Sequence, residues 1–586
     1  MAIAGFIAAC SPSTTNTVST PTEEEEAPPL EGLPMQSLAL GTALAESNEG
    51  WSTVAAVYSD SYATKNPNTS EGEGVLISRV SEDGQMNTLN LGITHQDLDL
   101  EFEFLLPSEG QAQLLLQGQY PVNLNDSWGA SSDYIGAVQG TEVKDMNTCK
   151  APGLWQQFSA SFHAPRFDES GNLTQKATIE DVMINGKTVH HTLELESDSP
   201  VATGPLQMLA SDQVAVRNVE YKAYGLDSLR LENIRYDLFY GDWDKLPDFS
   251  QLEVAKSGTA DFLDVKVAGQ PDKYALKFYG DLYVPTDGEY FIQSMIDDGG
   301  ELFIDGALVL HNDGEPNFGV EQTLTTLTAG KHDFEMTFFQ DHWGTALVVV
   351  YEGPGIAKQT LPSDPGVKKW IFRKDNRSLP VVDDLQEPEL LRGFANFKEK
   401  KLTHVISVGT PQGVHFLYDL DQTSLLKVWQ GNFADVAKMW LGRGESQLME
   451  PMNAAIELNQ GLSVAPKGKS WPTTAPDGYK NKGYDIQDNG LPIFKYLIGN
   501  DQFTDISEPA EDRIGAVRTI SSSNGSAYRC KLAEANNIQA LSQEGHYNID
   551  GQYYLIVLDA GAVELLDDNT LVADFANGKV QYKVIW

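Results

Sequence analysis

Two adjacent aspartates, Asp297 and Asp298, stand before two glycines in the stretch IDDGGELFIDG. Two carboxylates side by side repel each other and raise their own proton affinity unless a cation lies between them. Neighbouring residues of an ordinary strand point to opposite faces. Bringing both carboxylates onto one ion therefore requires a turn, which Gly299 and Gly300 permit. The stretch predicts either a cation site or a simple hairpin, since Asp and Gly favour tight turns.

A second group of carboxylates lies in DLDLEFEF, residues 97–104. Strict alternation predicts a strand with an apolar face toward a core and an acidic face formed by Asp97, Asp99, Glu101 and Glu103. Paired carboxylates are the groups that general acid–base cleavage of a glycosidic bond requires. The alternative interpretation is a solvated sheet surface.

The elements that must position these carboxylates are predicted to be strands. Alternating stretches such as QFSASFHA, HTLELE and YYLIVLDA are separated by clusters of Gly, Asn, Asp and Ser, and long helical periodicity is scarce. Short strands with turn signals between them predict an all-β fold built from sandwiches. At 586 residues the chain is too long for one hydrophobic core, which predicts several domains.

Charge and cysteine content exclude several classes of protein. The chain has 83 acidic and 41 basic residues, and the formal charge of −42 would repel nucleic acids and anionic lipids. Cys10, Cys149 and Cys530 lie too far apart for a haem-attachment motif or a zinc-ligand spacing. No nucleic acid, haem or structural zinc is therefore expected.

The N-terminal stretch MAIAGFIAAC resembles the lipobox of bacterial lipoproteins, with Cys10 as the lipidated residue. Residues 10–38 are rich in Pro, Ser, Thr and Glu and predict a disordered acidic tether. Serine at position 11 favours the outer membrane as the destination. Since no other apolar run is long enough to span a bilayer, an acyl chain on Cys10 is the expected membrane contact.

Residues 39–226 resemble the 3-keto-disaccharide hydrolase family, a concanavalin-like jelly roll of bacterial envelope proteins. The resemblance rests on DLDLEFEFLLP, VNLNDSWG, KAPGLWQQFSASFHAPRFDESGNLT and VMINGKTVHH. It implies Glu103 and Asp126 as catalytic carboxylates and a sugar-sized groove lined also by Asn123, Trp128 and Trp155. The sequence departs from the family at Pro121, where a carboxylate is replaced. This departure favours saccharide binding over hydrolysis.

Residues 227–364 resemble the protective-antigen-like domain, a β-sandwich found in toxins, adhesins and glycosidases, on YALKFYGDLYVPTDGEYFIQSMIDDGGELFIDG and HDFEMTFFQDHWG. In sugar-binding members adjacent aspartates, sometimes joined by a cis peptide, chelate a calcium ion that also contacts sugar hydroxyls. The resemblance assigns that role to Asp297 and Asp298. Asn312 and Asp313 could add oxygen ligands, which calcium requires in number. Trp343, in QDHWG, would be an aromatic platform for sugar.

Residues 365–586 loosely resemble a domain of bacterial envelope proteins without assigned chemistry, and alternation in GVHFLYDL and PIFKYLIG predicts further β-sandwich. His404, His415 and two tryptophans, Trp429 and Trp440, are expected to be structural.

With a signal remnant at 1–9, the chain is predicted to be a lipid-anchored bacterial envelope protein that binds carbohydrate, with calcium. The alternatives are a 3-keto-glycoside hydrolase and a structural or interaction subunit of an envelope complex.

Overall fold

This computed structural model describes residues 32–43, 50–80, 85–130, 132–143, 146–312, 319–342, 344–363, 381–398, 400–440, 446–469, 471, 475, 478–567 and 569–586, with the backbone only for Thr42, Ala43 and Trp440. The predicted sites Cys10, Asp313 and Trp343 lie outside these residues. The all-β prediction is confirmed. Contacts divide the chain into two compact units, one built mainly from residues 228–354 and 358–371 and the other mainly from 34–227 and 372–586.

The first part of the larger unit consists of antiparallel strands. They are β1 (Gln36–Ser37), β2 (Trp51–Tyr58), β3 (Asn68–Ser78), β4 (Asn87–His95), β5 (Asp97–Leu105), β6 (Ala112–Leu116), β7 (Tyr120–Asn123), β8 (Trp155–His163), β9 (Arg166–Phe167), β10 (Leu173–Gln175), β11 (Thr178–Ile184), β12 (Lys187–Glu194), β13 (Gly204–Ala210) and β14 (Ala215–Tyr224), with one short helix, α1 (Leu40–Ala43).

Two of the sheets formed by these strands build a sandwich. One sheet has the order β12-β11-β8-β5-β14-β3-β2, with β1 beside β14, and the other has the order β4-β13-β6-β7. The predicted alternation of β5 is observed, because Leu98, Leu100, Phe102 and Phe104 are buried in the core between the sheets. Burying four large apolar side chains from one strand face fixes the register of β5, since a one-residue slip would expose all four.

The smaller unit is a second sandwich. Its strands are β15 (Arg230–Tyr240), β16 (Lys256–Thr259), β17 (Tyr274–Val284), β18 (Gly288–Asp297), β19 (Gly299–Ile304), β20 (Ala307–Asn312), β21 (Gly319–Leu327), β22 (Gly330–Gln340), β23 (Ala346–Gly353) and β24 (Ile356–Thr360), with 3₁₀ turns at Phe249–Gln251 and Val265–Ala268. The six-stranded sheet has the order β16-β15-β17-β22-β19-β20, and the four-stranded sheet has the order β21-β18-β23-β24.

The C-terminal region continues the larger unit with short strands. They are β25 (Val381–Val382), β26 (Glu389–Phe397), β27 (Lys400–Gly409), β28 (Val414–Asp419), β29 (Ser424–Gln430), β30 (Ala434–Asp435), β31 (Glu450–Pro451), β32 (Ala455–Glu457), β33 (Val464–Pro466), β34 (Tyr479–Ile486), β35 (Pro492–Ile498), β36 (Asp501–Pro509), β37 (Ala516–Ser521), β38 (Tyr528–Glu534), β39 (Ile538–Ala540), β40 (His546–Ile549), β41 (Tyr553–Asp559), β42 (Val563–Leu565), β43 (Thr570–Asp574) and β44 (Lys579–Ile585), with α2 (Ala437–Trp440) and a 3₁₀ turn at Gly525–Ala527.

Four sheets arise from these strands, in the orders β25-β30-β31, β26-β27-β28-β29-β32, β33-β38-β43-β42 and β34-β35-β36-β37-β44-β41-β40-β39. A shared apolar core contains residues of the last three of these sheets, including Phe416, Phe494 and Cys530. The large sheet is antiparallel throughout, as the alternation in its sequence predicts. No helix in the described part of the chain is long and apolar enough to cross a membrane.

The C-terminal region packs directly on the first sandwich within the larger unit, and the predicted boundary between residues 39–226 and 365–586 stays a prediction. A joint apolar cluster includes Ala151 and Leu154 from the first sandwich with Tyr554 and Ile585 from the C-terminal region. The Tyr554 hydroxyl donates to the Pro152 carbonyl at 2.9 Å. Buried apolar side chains and a buried hydrogen bond thus join the two regions.

Candidate functional site

The adjacent aspartates lie where the chain passes from one sheet of the smaller unit to the other. Asp297 is the last residue of β18 and pairs with Ala346 of β23, whereas Gly299 opens β19 and pairs with Phe339 of β22. Asp298 is the residue between the two sheets, and the peptide bond that joins it to Asp297 is cis. Because the chain changes sheet here, the two carboxylates do not follow the alternation of a single strand.

Strand pairing assembles a row of polar residues along this end of the six-stranded sheet. Tyr240 pairs with Tyr274 and Tyr274 pairs with Gln340, so the segments that follow β15 and β22 lie beside the start of β17. Asn312, at the end of β20, pairs with Gly300. We call the residues at this end, Asp242, Lys273, Asp341, Asp297, Asp298 and Asn312, the strand-end row.

Most carboxylates of the strand-end row have hydrogen-bonding partners. Asp298 Oδ2 accepts the backbone N–H of Asp341 at 2.5 Å. The Asp341 carboxylate is bonded to the Lys273 ammonium and the His342 ring, and the Lys273 bond in particular lowers its pKa. Lys273 also donates to Asp242 at 2.5 Å, and these two acidic partners raise the pKa of the lysine. The ammonium is therefore shared between Asp242 and Asp341.

Asp297 differs from its neighbours because no described residue donates a hydrogen bond to its carboxylate. Burial and the adjacent charge of Asp298 raise its pKa. A Cβ atom at position 344 would come too close to Asp297 Oδ2, so this carboxylate lies close to the Gly344 backbone. The buried Gln340 amide donates to the Gly344 carbonyl at 2.7 Å, and its own oxygen has no partner within the described residues.

Two carboxylates and a partnerless amide oxygen are the chemistry of a hard-cation site. Among the described residues, no group of three Asp, Glu, His or Cys side chains could hold a metal ion. Calcium accepts backbone carbonyls, amide oxygens, waters and ligand hydroxyls as well as carboxylates. If a calcium ion bound here, Asp297 and Asp298 would supply its carboxylate oxygens and the other ligands would have to be oxygens of these further kinds. Asn312, which is predicted as a further oxygen ligand, is buried, and its side-chain amide lies against Gly319.

The carboxylate predicted for catalysis on the first sandwich is in an ion pair. Glu103 lines a groove of about 330 Å³ on the outer face of the large sheet, together with Glu101, Gln157 and Ser159. Its Oε2 accepts from Arg217 Nε at 2.5 Å, and the guanidinium lies 3.9 Å from the ring centroid of Trp155. The Glu103 carboxylate therefore already has a charged partner within the protein.

The other residues predicted for this groove lie elsewhere. Asp126 follows β7, and its two carboxylate oxygens accept the backbone N–H groups of Glu109 at 2.9 Å and Trp128 at 3.0 Å. Burial raises the pKa of Asp126 despite these bonds. Asn123 accepts the Asn125 N–H at 2.8 Å. None of these residues, nor Trp155, lines the groove beside Glu103.

Trp128 and Trp155 have separate surroundings. The Trp128 indole donates to the carbonyl of Trp586 at 2.9 Å. Trp155 is 4% exposed and packs with Leu105 and Val57 beneath Arg217. Trp128 lines a different cavity, in the same compact unit, and Trp155 is part of the core.

His404 and His415 of the C-terminal region both have hydrogen-bonding partners within the protein. His415 is buried, accepts the Thr410 N–H and donates to the Gly431 carbonyl. Burial lowers its pKa to about 4. His404 bonds Asp421 at 2.6 Å. Trp429 is fully buried and donates to the Phe433 carbonyl at 2.8 Å, while the Trp440 side chain lies outside the described residues.

Asp242 and Lys273 of the strand-end row are not indicated by the sequence. Neither residue belongs to a motif that sequence reasoning singles out. The pairing of β15 with β17 brings both to the same sheet edge as Asp298. Asp341 belongs to QDHWG, which the sequence does mark as a polar segment. Asp242 and Lys273 could be found only from knowledge of which strand ends are neighbours.

Comparison with known proteins identifies one part of the chain. Residues 243–364 match the profile of the PA14 domain, which confirms the predicted protective-antigen-like module over those residues. No curated protein matches the chain. The 3-keto-disaccharide hydrolase resemblance is not confirmed by these comparisons and stays a prediction.

Several solved structures are similar to parts of the chain at low identity. A candidate glycosyl hydrolase from Parabacteroides distasonis is 17% identical, with 30% of this chain and 79% of that chain covered and a TM-score of 0.21. An anti-sigma factor domain-containing protein from Clostridium clariflavum is 12% identical, with 52% and 90% covered and a TM-score of 0.21. The PA14 domain of an antifreeze protein is 14% identical, with 24% and 92% covered and a TM-score of 0.19.

Proposed function

We propose that the smaller unit binds carbohydrate at the strand-end row, with a calcium ion held by Asp297 and Asp298. The observation that carries the proposal is the Asp297 carboxylate, which is partly buried beside a second carboxylate and accepts no hydrogen bond from a described residue. A group in this state is stabilised by a cation. The PA14 match over residues 243–364 supports carbohydrate as the class of ligand.

The electrostatics of the row support a cation more than an anion. The row contains four carboxylates, those of Asp242, Asp297, Asp298 and Asp341, and one lysine, whose ammonium is already shared between Asp242 and Asp341. Opposite charge is attracted to such a cluster, and the whole chain is strongly acidic. A bound calcium ion supplies a positive centre to which vicinal sugar hydroxyls can coordinate as further oxygen ligands.

Saccharide binding with and without calcium tests the proposal. The purified protein is stripped of metal and presented to a glycan array in calcium and in chelator. We expect binding that requires calcium and that is lost when Asp297→Asn and Asp298→Asn are combined. Glu289→Gln is the matched control, because this exposed acid lies at the opposite end of β18 and removes the same kind of charge.

Two other outcomes of this experiment would contradict the proposal. Binding that persists in chelator and in the double variant would remove carbohydrate recognition from the strand-end row. Calcium binding without any saccharide binding would leave a structural metal site only.

We also propose that the protein is a lipoprotein of the bacterial outer membrane, acylated on Cys10. The support is the lipobox-like stretch before Cys10 and the Pro/Ser/Thr/Glu-rich tether after it. Intact-mass measurement of protein from native membranes tests this localisation, and an unmodified Cys10 would contradict it.

A further inference from the structure

A cavity of about 270 Å³ lies within the larger unit, away from the groove beside Glu103. One wall comes from the segment between β7 and β8, and the other comes from the turn after β29 and from the segment between β31 and β32. The side chains that define its chemistry are those of Trp128, Tyr134, Asn147, Gln430, Asn432 and Asn453.

The cavity lining is aromatic and amide-rich. No Asp or Glu side chain is among its described lining residues, although the chain carries 83 acidic side chains. Lys150 is the one charged residue among those described in the lining. Its ammonium donates to the Trp155 carbonyl at 3.0 Å and to Gln552 Oε1 at 2.6 Å, so most of its hydrogen-bonding capacity is used within the protein.

The wall after β29 is held in place before any ligand arrives. Gly431 donates to the Gly413 carbonyl at 2.8 Å, and its own carbonyl accepts from His415 at 2.8 Å. The Asn453 amide oxygen accepts the Asn432 N–H at 3.2 Å. Because burial keeps the His415 pKa near 4, this histidine stays neutral and its bond is unaffected by changes near neutral pH.

The opposite wall is fixed in a similar way. The Trp128 indole is bonded to the Trp586 carbonyl at 2.9 Å, and its ring lies 5.1 Å from that of Tyr62. The Asn147 amide donates to the Ser127 carbonyl at 2.6 Å and accepts the Cys149 N–H at 3.1 Å. A site with fixed walls loses little conformational entropy when a ligand binds.

Several polar groups of the lining have hydrogen-bonding capacity to spare. The side chains of Tyr134, Gln430 and Asn432 make no hydrogen bond within the part of the chain that the structure describes. Thr148 is 2% exposed, and its hydroxyl has no partner among the same residues. A buried polar group without a partner is unfavourable, and amides and hydroxyls together can both donate and accept.

We propose that this cavity binds one ring of a neutral sugar, without calcium and independently of the strand-end row. Aromatic rings offer an apolar surface to the C–H face of a pyranose, while amides pair with its hydroxyls. A volume just below the roughly 300 Å³ at which pockets for drug-sized molecules begin suits a single ring. Because the Lys150 ammonium is directed to two acceptors of the protein, the lining groups with hydrogen-bonding capacity to spare are amides and hydroxyls, which suit a neutral ring.

Calorimetry on the whole protein tests the proposal with D-glucose, D-galactose and N-acetyl-D-glucosamine, and with D-glucuronate as the anionic comparison. We expect at least one neutral sugar to bind more tightly than glucuronate, with the same affinity in calcium and in chelator. Asp297→Asn combined with Asp298→Asn should leave this affinity unchanged, which separates this site from the proposed function of the smaller unit.

Two kinds of variant locate the binding site. Gln430→Ala combined with Asn432→Ala removes two amides that make no side-chain bond within the described residues, and should weaken binding about tenfold or more. Ala130→Trp places a large side chain at the exposed rim and should block entry without removing a native contact. Gln502→Ala, on the exposed surface of β36, is the matched control and should change nothing.

Four results would overturn the proposal. They are no binding of any of the three neutral sugars, tighter binding of glucuronate, an affinity that ignores the cavity variants, and an affinity that disappears with the Asp297 and Asp298 substitutions.

Discussion

Glu103 is predicted as a catalytic acid and Asp297 as a calcium ligand, and the two carboxylates have opposite surroundings in the structure. Glu103 lies in the large sheet of the first sandwich and is paired at 2.5 Å with Arg217, which lies over Trp155. Asp297 lies at a sheet crossing of the second sandwich beside another acid, and no described residue donates to its carboxylate. The charge of Glu103 is thus paired with an arginine, whereas the charge of Asp297 has no such partner among the described residues.

The difference concerns the bonds that each carboxylate would have to give up in order to bind a ligand. A carboxylate that already accepts from a guanidinium would have to give up that bond before it could take up a proton or a metal ion. A carboxylate whose pKa is raised by burial and by a like charge is stabilised by a cation from solution. Pairing within the fold therefore distinguishes the two, although the sequence presents both simply as acids in strand-like segments.

The first prediction has the largest expected effect on stability. It concerns Asp505, a buried carboxylate of the C-terminal region that forms an ion pair with Arg518. Asp505 is fully buried and accepts from Arg518 Nε at 3.0 Å and from its terminal nitrogen at 2.6 Å. Asp505→Ala should lower the free energy of unfolding of the larger unit by about 3–5 kcal/mol, because it leaves a buried guanidinium without its partner. Urea unfolding followed by tryptophan fluorescence measures this change.

The control for that variant is Asp485→Ala. Asp485 also pairs with a cation, Lys495, but its side chain is 64% exposed. The loss should stay below about 1 kcal/mol, since water replaces the partner at an exposed site. Equal losses of unfolding free energy for Asp505→Ala and Asp485→Ala would show that burial does not determine how strongly an ion pair stabilises this protein.

The second prediction concerns metal addition and removal. At about 100 times its dissociation constant, calcium should stabilise the smaller unit by about 2.7 kcal/mol, and chelator should reverse the shift. Differential scanning calorimetry on metal-free protein with added calcium measures it, and magnesium serves as the comparison ion. A transition of this unit that ignores calcium would mean that Asp297 and Asp298 form only a turn.

Much of the fold could be predicted from the sequence because period-two alternation reports burial directly. The alternation in residues 97–104 gives the strand and its buried face, and the aspartates and glycines at 297–300 give a change of direction between strands. The sequence does not show which strands pair. The packing of residues 372–586 on the first sandwich, through Tyr554 and Ile585, depends on contacts between residues hundreds of positions apart.

The candidate site was only partly predictable for the same reason. Asp297 and Asp298 are adjacent in the chain and are found by inspection. Lys273 joins them only because β17 lies between β15 and β22, and Glu103 is in an ion pair only because Arg217 is its cross-strand neighbour. Local patterns therefore identify acidic residues, while long-range pairing decides whether their charge is compensated.

The third prediction is a pH dependence that arises from another compensated acid, Asp97. Burial alone would raise its pKa, but hydrogen bonds from His163, Arg166 and the Ala164 N–H lower the pKa to about 2. Since the unfolded pKa is about 3.9, the stabilisation is present above that pH and is lost as pH falls from about 4 to 2. The loss should be about 2 kcal/mol, and it should be absent in Asp97→Asn.

Acid titration of the unfolding transition measures this effect. Asp97→Asn should be less stable than the wild type at neutral pH and should converge with it near pH ~2. Parallel stability curves for the two proteins would show that the bonds to Asp97 do not favour its ionised form.

The fourth prediction measures the Glu103 ion pair itself. Glu103→Gln and Arg217→Gln should each lower stability, and a double-mutant cycle should give a coupling energy of about 1 kcal/mol, because the two side chains are only 21% and 30% exposed. Equilibrium unfolding of the four proteins provides the cycle. A coupling energy near zero would mean that Glu103 is less compensated than its geometry indicates, and would return it to consideration as a functional acid.

The fifth prediction has the smallest expected effect on stability. It is nevertheless the sharpest test of the comparison between Asp297 and the paired acids, because it predicts whether the substitution stabilises or destabilises. In metal-free protein, Asp297→Asn removes a partly buried charge that has a like charge beside it, and should stabilise the smaller unit by less than about 1 kcal/mol. The same substitution at Asp97 destabilises, since that carboxylate accepts three hydrogen bonds. In saturating calcium the Asp297→Asn protein should become the less stable one, because it lacks a ligand that the wild type retains. Thermal unfolding of both variants with chelator and with calcium checks the reversal, and a destabilising effect of Asp297→Asn in chelator would mean that the protein compensates this carboxylate after all.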